Sequence, residues 1–353
     1  MKLKKVISIV TAFSLSQGLV ASAENLEAES SFLLDNNLEK TLNFIIKDKE
    51  MGDIVNTHKL LDVNNNVIAN CWDFENAYII FDENSVIEFS DENISPYHYT
   101  DGDAYYCGVT TYYEKQEDTF IDLMSNEVVS FDEVCSRSSS FSEQTAEVCS
   151  EIETLESEPV YETNSGSTAV VNVCLPGVTR RLAYNTQNTC GSMAAEIMLY
   201  YFYDYIDKDY VKPGLATNPR TFYNYLQQKL EPEYDMPGGY GGSNPMALAT
   251  RFKTYMPYIC LDNTGLKTDV EFNQGHCWGY CYHLIEDQGI PTMISTANDP
   301  VCGNHWLVCY GVYMTGPNAV DDPLTNYFVT NDGNGRLAVY INNLYNDAMI
   351  NLR

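Results

Sequence analysis

The sequence predicts an α+β protein, and three observations carry that reading. Helical three-to-four spacing dominates from Thr189 to Tyr255, whereas from Ile290 onward the chain breaks into β-branched and aromatic runs: IPTMIST, HWLVCYGVYM, NYFVTN and RLAVYI. Helices come first and strands second, without the strand–helix–strand alternation of a parallel sheet. A shorter pattern of one helix followed by hairpins stands in front, and 353 residues exceed one average domain, so two regions are expected.

Residues 1–23 read as a secretory signal. Lys2, Lys4 and Lys5 form a basic start, Val6 to Val20 is mostly apolar, and Ala21-Ser22-Ala23 is a small-residue cleavage site. Ser14, Ser16 and Gln17 interrupt the apolar run, and no later stretch reaches the roughly 18 apolar residues of a membrane span. The chain is therefore expected to be exported, with no membrane span left after the signal is removed.

Residues 24–132 form the front region. Asn25 to Glu50 is expected to be helical, with Leu33, Leu34, Leu38, Leu42, Ile45 and Ile46 recurring at helical spacing. Lys59 to Phe74, broken by Asn64-Asn65-Asn66, and Tyr78 to Phe89, broken by Asp82-Glu83-Asn84, read as two hairpins; Tyr105 to Phe131 adds further strand-like material. One helix on an antiparallel meander is the economical fold. Residues 133–168 are rich in Ser, Glu and Thr with little apolar periodicity, the composition of a solvated linker and the place where a maturing protein would be cut. Arg180-Arg181 is a second candidate cut.

Residues 169–353 open with a short strand at Ala169–Val173. Helices are expected from Thr189, which is placed as an N-cap, over Arg220–Leu230 and Pro245–Tyr255, with a fourth over Asp269–Asp287. In the first, Met193, Ile197, Met198, Tyr201 and Phe202 share a side, while Glu196 and Asp204 punctuate the other.

Charge is unevenly divided. Residues 24–168 hold 32 acids against 6 bases, a balance of −26, while 169–353 hold 17 against 11, a balance of −6. With no basic patch to displace counterions from phosphates, nucleic acid and anionic membranes are excluded as partners. Eleven cysteines suit an exported protein; if Cys190 stays reduced, ten remain to form disulfides, four in the front region and six behind. Trp278 and Trp306 are expected in the core or a cleft wall.

The chemistry centres on Cys190. It stands where the polar loop YNTQNT becomes the apolar helix CGSMAAEIMLYYF, and a helix N-terminus favours the thiolate that a nucleophile needs. Gly191 beside it leaves room for a substrate carbonyl. A nucleophilic cysteine needs a base and the base an orienting acceptor. Among His276, His283 and His305, the last begins the strand run GNHWLVCYGVY, and the following run NYFVTNDG ends in Asn331-Asp332, so a return of the chain can bring Asp332 to the imidazole. Asn331 is the alternative acceptor. A competing pattern, H-C-x3-C-x-H over His276, Cys277, Cys281 and His283, offers metal-ligand types at a spacing unlike the usual C-x2-C pairs, so no metal and no cofactor are expected.

The matching pieces NTCGSMAAEIMLYYF, NHWLVCYGVY and NYFVTNDGNG, spread over about 150 residues, resemble papain-like cysteine peptidases, nearest the branch of double-glycine leader peptidases and their exported relatives. KLLDVNNNVIANCWDFENAYIIFDENSVIEFSDENISPY resembles in texture the pro-domain of streptopain-type cysteine peptidases; an independent adhesion or carbohydrate-binding module shares that texture. The first resemblance implies a papain-like fold, Cys190 as nucleophile, His305 as general base and acid, and Asp332 as its orienting residue. One departure concerns the oxyanion-hole glutamine. The family places it about six residues before the cysteine, where this chain has Tyr184, so Gln187 is assigned the role, with Asn185 as the alternative.

Together these expectations describe a secreted, monomeric cysteine endopeptidase made as a zymogen. It would hydrolyse protein or peptide substrates through a thioester acyl-enzyme, with its own N-terminal domain as inhibitor. The alternatives are a cell-wall peptide amidase or acyl transferase on the same triad, and a non-catalytic exported adhesion or inhibitor protein.

Overall fold

Asn and Asp residues between strand-forming runs set the front sheet. In a computed structural model of the chain, the described residues are 36–135, 137–138, 141, 171–175, 189–231, 244–261, 269–296, 305–315 and 325–352. The signal-like residues 1–23, residues 142–168 of the linker and Arg180-Arg181 lie outside them. Helix α1 (Asn36–Asp48) precedes strands β1 (Asn56–Leu61), β2 (Val67–Asp73), β3 (Tyr78–Phe81) and β4 (Val86–Ser90). In the β1–β2 turn, Asp62 Oδ1 accepts the Asn64 and Asn66 N–H groups at 2.8 Å each, and Asn65 takes a left-handed φ of 64°. Asp82 does the same in the β3–β4 turn, accepting from Asn84 and Ser85. Side-chain acceptors thus satisfy turn amides that the ladder cannot. Strands β5 (Asp103–Tyr106), β6 (Tyr112–Gln116), β7 (Thr119–Asp122) and β8 (Glu127–Val129) extend the sheet, β5 lying parallel to β1.

The rear region contributes β9 (Val171–Cys174), helices α2 (Cys190–Tyr201), α3 (Pro219–Leu230) and α4 (Pro245–Ile259), strand β10 (Val270–Gln274) and helix α5 (Trp278–Gln288). Strands β11 (Thr292–Ser295), β12 (Trp306–Met314), β13 (Asn326–Asn331), β14 (Val339–Asn342) and β15 (Ala348–Leu352) follow. The chain is thus α+β with a large, mostly antiparallel open sheet. Its order is β10-β15-β11-β12-β13-β14-β4-β3-β2-β1-β5-β6-β7-β8, with β9 alongside β12.

That order passes from one region into the other. Strand β4 pairs antiparallel with β14, matching Ser90 to Val339, Phe89 to Tyr340 and Glu88 to Ile341. Two apolar cores cross the same boundary. On one face, Leu38, Leu42 and Ile45 of α1 cluster with Phe89, Tyr313, Tyr327 and Tyr340. On the other, Tyr78, Ile80, Tyr106 and Tyr112 cluster with Trp278, Phe328, Ile341 and Tyr345. Phe89 stacks on Tyr340 at 4.3 Å and meets Tyr327 edge-on at 5.2 Å. Lys49 Nζ lies 4.1 Å from the Tyr313 ring centre, and Tyr313 donates its hydroxyl to Asp48 Oδ2 at 2.8 Å.

Several expectations change. Residues 270–274, expected in a helix over Asp269–Asp287, form β10, because their partner is β15 at the far end of the chain. The helix there begins only at Trp278. Residues 131–135, 137–138 and 141, most of them assigned to the solvated linker, are helical, and Val134, Ser138 and Phe141 are buried. Phe141 stacks against Tyr345 and meets Tyr106 edge-on, so this stretch belongs to the folded body. Glu196, placed on the side opposite Met193 and Ile197, is fully buried, since α2 is covered on every side. No disulfide joins any two of the nine described cysteines, and Cys71, Cys281 and Cys309 serve as small core side chains. Cys149 and Cys302 lie outside the described residues.

A shared core fixes an expected outcome. Phe89→Ala should lower stability by about 3–5 kcal/mol and shift one common unfolding transition, followed by urea titration with far-ultraviolet circular dichroism and tryptophan fluorescence. Two separable transitions would contradict the shared core.

Candidate active site

Helix α2 runs through the centre of the rear region with all twelve residues buried, and Cys190 is its first residue. A helix start leaves N–H groups without partners. Thr189 occupies the N-cap position, but its side chain does not cap; its hydroxyl pairs with the Tyr223 hydroxyl of α3. The capping acceptor comes instead from Glu231, just past α3, whose Oε2 accepts the Ser192 N–H at 2.9 Å and the Ser192 hydroxyl at 2.5 Å. Gly191 has a different role from the one expected. A Cβ there would lie 2.9 Å from Leu248 Cδ2 and 3.0 Å from Glu231 Oε1, so the missing side chain admits α4 and the capping acid rather than substrate.

His305 immediately precedes β12, and Asp332 immediately follows β13. The β12–β13 ladder runs to the pair Val308 and Asn331, which brings Asp332 to the start of β12. Beyond it the chain turns sharply: Gly333 and Gly335 adopt φ of 73° and 92°. At Gly333 a Cβ would lie 3.0 Å from Met193 Cγ, so the turn presses on the first turn of α2. Cys190, His305 and Asp332 therefore gather where α2, β12 and the turn after β13 meet. The Cys190 sulfur receives hydrogen bonds from the backbone N–H groups of Trp306, next to His305 in the chain, and of Gly191. The His305 ring bonds the Asp332 backbone carbonyl. Its Nε2 is buried with no hydrogen-bond partner among the described residues.

The Asp332 carboxylate is spent elsewhere. Oδ1 accepts the Asn334 and Arg336 N–H groups at 2.8 and 3.0 Å, and Oδ2 accepts Arg336 Nε at 2.7 Å. The orienting contact to His305 comes from the Asp332 main chain, with the carboxylate acting through its field. Asn331 Oδ1 accepts the Gly333 N–H at 3.1 Å, an additional brace of the turn. Gln187, Asn185 and Tyr184 lie outside the described residues.

Electrostatics oppose the simple activation expected of a helix start. Burial and then the Glu231 carboxylate push the Cys190 thiol up to about 12, against the Trp306 and Gly191 N–H groups and Arg137. A helix terminus offers at most about 2 kcal/mol, or roughly 1.5 pH units, whereas full burial moves such groups by roughly 3–5. Burial wins. His305 is pushed down to about 4, first by burial, with Arg137 and Arg336 in the same direction and Asp332 opposing. Thiol and imidazole are both neutral at pH 7.

Three contributors escaped the sequence reading. Arg137 is helical and lies in the segment expected to be a solvated linker, yet its charge bears on both Cys190 and His305. Glu231 carries no motif. Arg336 had a readable signal, a base four residues after Asp332 in the turn sequence NDGNGR. The alternative metal pattern disperses: His276 Nδ1 meets the Asn343 carbonyl, exposed His283 pairs with Asp287, and Cys281 is buried against Thr292 and Met349. Trp278 and Trp306 are buried, as expected. No helix among the described residues is long and apolar enough to cross a membrane. No family model, curated protein or solved structure matches the chain.

Two outcomes follow. Glu231→Gln keeps an acceptor for Ser192 but removes the charge, so the pH dependence of iodoacetamide labelling should report a Cys190 thiol pKa lower by about one pH unit; an unchanged profile would contradict the role of Glu231. Because the folded-state pKa of His305 lies below its ordinary value, protonating it costs stability as pH falls from about 6.5 toward 4. His305→Gln should flatten that acid limb of the urea midpoint and leave the slope above pH 7 unchanged.

Proposed function

We propose that the chain is an exported cysteine endopeptidase: a papain-like catalytic half at 169–353, preceded by a front region at 24–132 that keeps it latent. The convergence of Cys190, His305 and Asp332 carries this reading. A thiol at a helix start, an imidazole just before a strand and an orienting acceptor just after the next strand supply the nucleophile, base and positioning group of acyl transfer through a thioester. The Cys190 sulfur attacks the peptide carbonyl while its proton passes to His305. His305 then returns that proton to the leaving amine, and water hydrolyses the thioester with His305 as base.

The proton positions account for latency. Moving a proton from a thiol near 12 to an imidazole near 4 spans about eight pH units, on the order of 10 kcal/mol uphill. Burial is the largest cause on both sides, and the cluster that buries Cys190 is drawn from the rear region. Opening the site to water lowers the thiol and raises the imidazole, which brings the pair toward the thiolate–imidazolium form. The shared sheet and cores favour a front region built against the catalytic half over an independent adhesion module. Export rests on residues 1–23, and the oxyanion role of Gln187 or Asn185 on sequence.

The test compares wild type with Cys190→Ala, following cleavage between residues 142 and 168 by mass spectrometry and hydrolysis of casein. Wild type should cut its own chain there and digest casein, and the variant should do neither. Equal processing by the variant would sink the proposal. Cys190-dependent release from peptidoglycan fragments with casein untouched would instead identify the cell-wall amidase.

A further inference from the structure

A second feature of the site joins it to the front region. The Arg336 side chain is 12% exposed, and its nitrogens reach acceptors on both sides of the boundary. Nε donates to Asp332 Oδ2 at 2.7 Å, Nη1 to Tyr78 Oη at 3.4 Å and Nη2 to Tyr112 Oη at 3.1 Å. Tyr112 donates its own hydroxyl proton to Glu88 Oε1 at 2.6 Å, and the Thr110 N–H reaches Glu88 Oε2 at 3.3 Å. Asp332 and Arg336 belong to the turn after β13; Tyr78, Glu88 and Tyr112 stand on β3, β4 and β6. The guanidinium sits 5.2 Å from the Tyr112 ring centre and 6.0 Å from that of Tyr78. A planar fork held by three fixed acceptors has one orientation, which a flexible ammonium would lack.

Two carboxyl groups share this one buried cation. Burial raises the Glu88 carboxyl to about 7, against the pull of Arg336 and Tyr112, so a proton on Glu88 relieves the excess negative charge. That leaves Asp332 and Arg336 as the lasting ion pair. Its consequence lies at His305, where the Asp332 charge favours the imidazolium and the Arg336 charge opposes it. Where the guanidinium sits sets how much of the Asp332 field reaches the ring.

We propose that Arg336 is a positioning residue of the candidate triad. It pins the Asp332 carboxylate and is itself pinned by Tyr78 and Tyr112, so that seating of the front region is transmitted to His305. The inference rests on the reading of Cys190, His305 and Asp332 as a catalytic set. It goes further by naming the route through which the front region reaches that set. Loss of a tyrosine anchor loosens the seating of the guanidinium on Asp332, weakens its screening of that carboxylate and raises the basicity of His305. The charged groups facing His305 are Asp332, Arg137 and Arg336, and those facing Cys190 are Glu231 and Arg137; all but Arg336 stay unchanged in the variants below.

The experiment is an NMR titration of the His305 ring in the full chain, with Tyr112→Phe, Arg336→Lys and Arg336→Gln. Tyr112→Phe deletes one oxygen and leaves both members of the ion pair in place. It should raise the His305 midpoint by about half a pH unit. Arg336→Gln should raise it further, and Arg336→Lys, which restores the charge, should return it most of the way to wild type. A lost fold alone would not produce this graded pattern or the rescue by Lys. Midpoints of Tyr112→Phe within about 0.2 pH unit of wild type in a folded chain would overturn the proposal, whether or not Arg336→Gln folds. The titration needs no enzymatic activity, so failure of the peptidase reading in the casein assay and failure of this coupling are separate outcomes.

Discussion

The ladder between β4 and β14 is the constraint on which the rest depends. Side chains alternate across a strand, so neighbouring residues of β4 serve opposite faces of the sheet. Phe89 enters the aromatic cluster under α1 with Tyr313, Tyr327 and Tyr340. Glu88, one residue away, faces Tyr112 and the Arg336 side chain. One short pairing therefore joins the apolar cores of the two regions and brings a buried acid of the front region to the charge network of the candidate site. Separating the regions would expose both faces at once, each carrying large aromatic side chains.

At the site the decisive quantity is burial. A helix start attracts negative charge, but at α2 that attraction is already taken by Glu231, whose carboxylate occupies the Ser192 N–H. The thiol is left in an apolar setting beside an acid, and both effects keep its proton on sulfur. His305 suffers the matching penalty and stays neutral. Both groups therefore keep their neutral forms. The same residues in contact with water would lie much closer to ionisation.

The helices and hairpins were largely legible in the sequence. The turn chemistry of Asp62 and Asp82 and the apolar stripe of α1 are local signals, and the folded chain uses them where expected. Strand β10 was misread as helix because Val270–Gln274 is made a strand by β15, a partner near the chain end that no local window contains. The burial of Val134, Ser138 and Phe141 was hidden by the Ser-rich composition around them. Of the site, Cys190, His305 and Asp332 were readable from residue type and order. The acceptor that Asp332 offers His305 was not, because a backbone carbonyl has no sequence signature. Glu231 and Arg137 act only through tertiary placement, and Gln187 lies outside the described residues.

The central claim is that Cys190 is a nucleophile kept protonated by burial until the site is opened to water. The most direct measurement is the alkylation rate of each cysteine at pH 7, read by mass spectrometry in the intact chain and again after limited proteolysis has digested the front region away. The account predicts a slow Cys190 in the intact chain that becomes the fastest-reacting thiol after digestion, ahead of Cys281 and Cys309. A Cys190 that stays as inert as those core cysteines, or that is found in a disulfide, would contradict it.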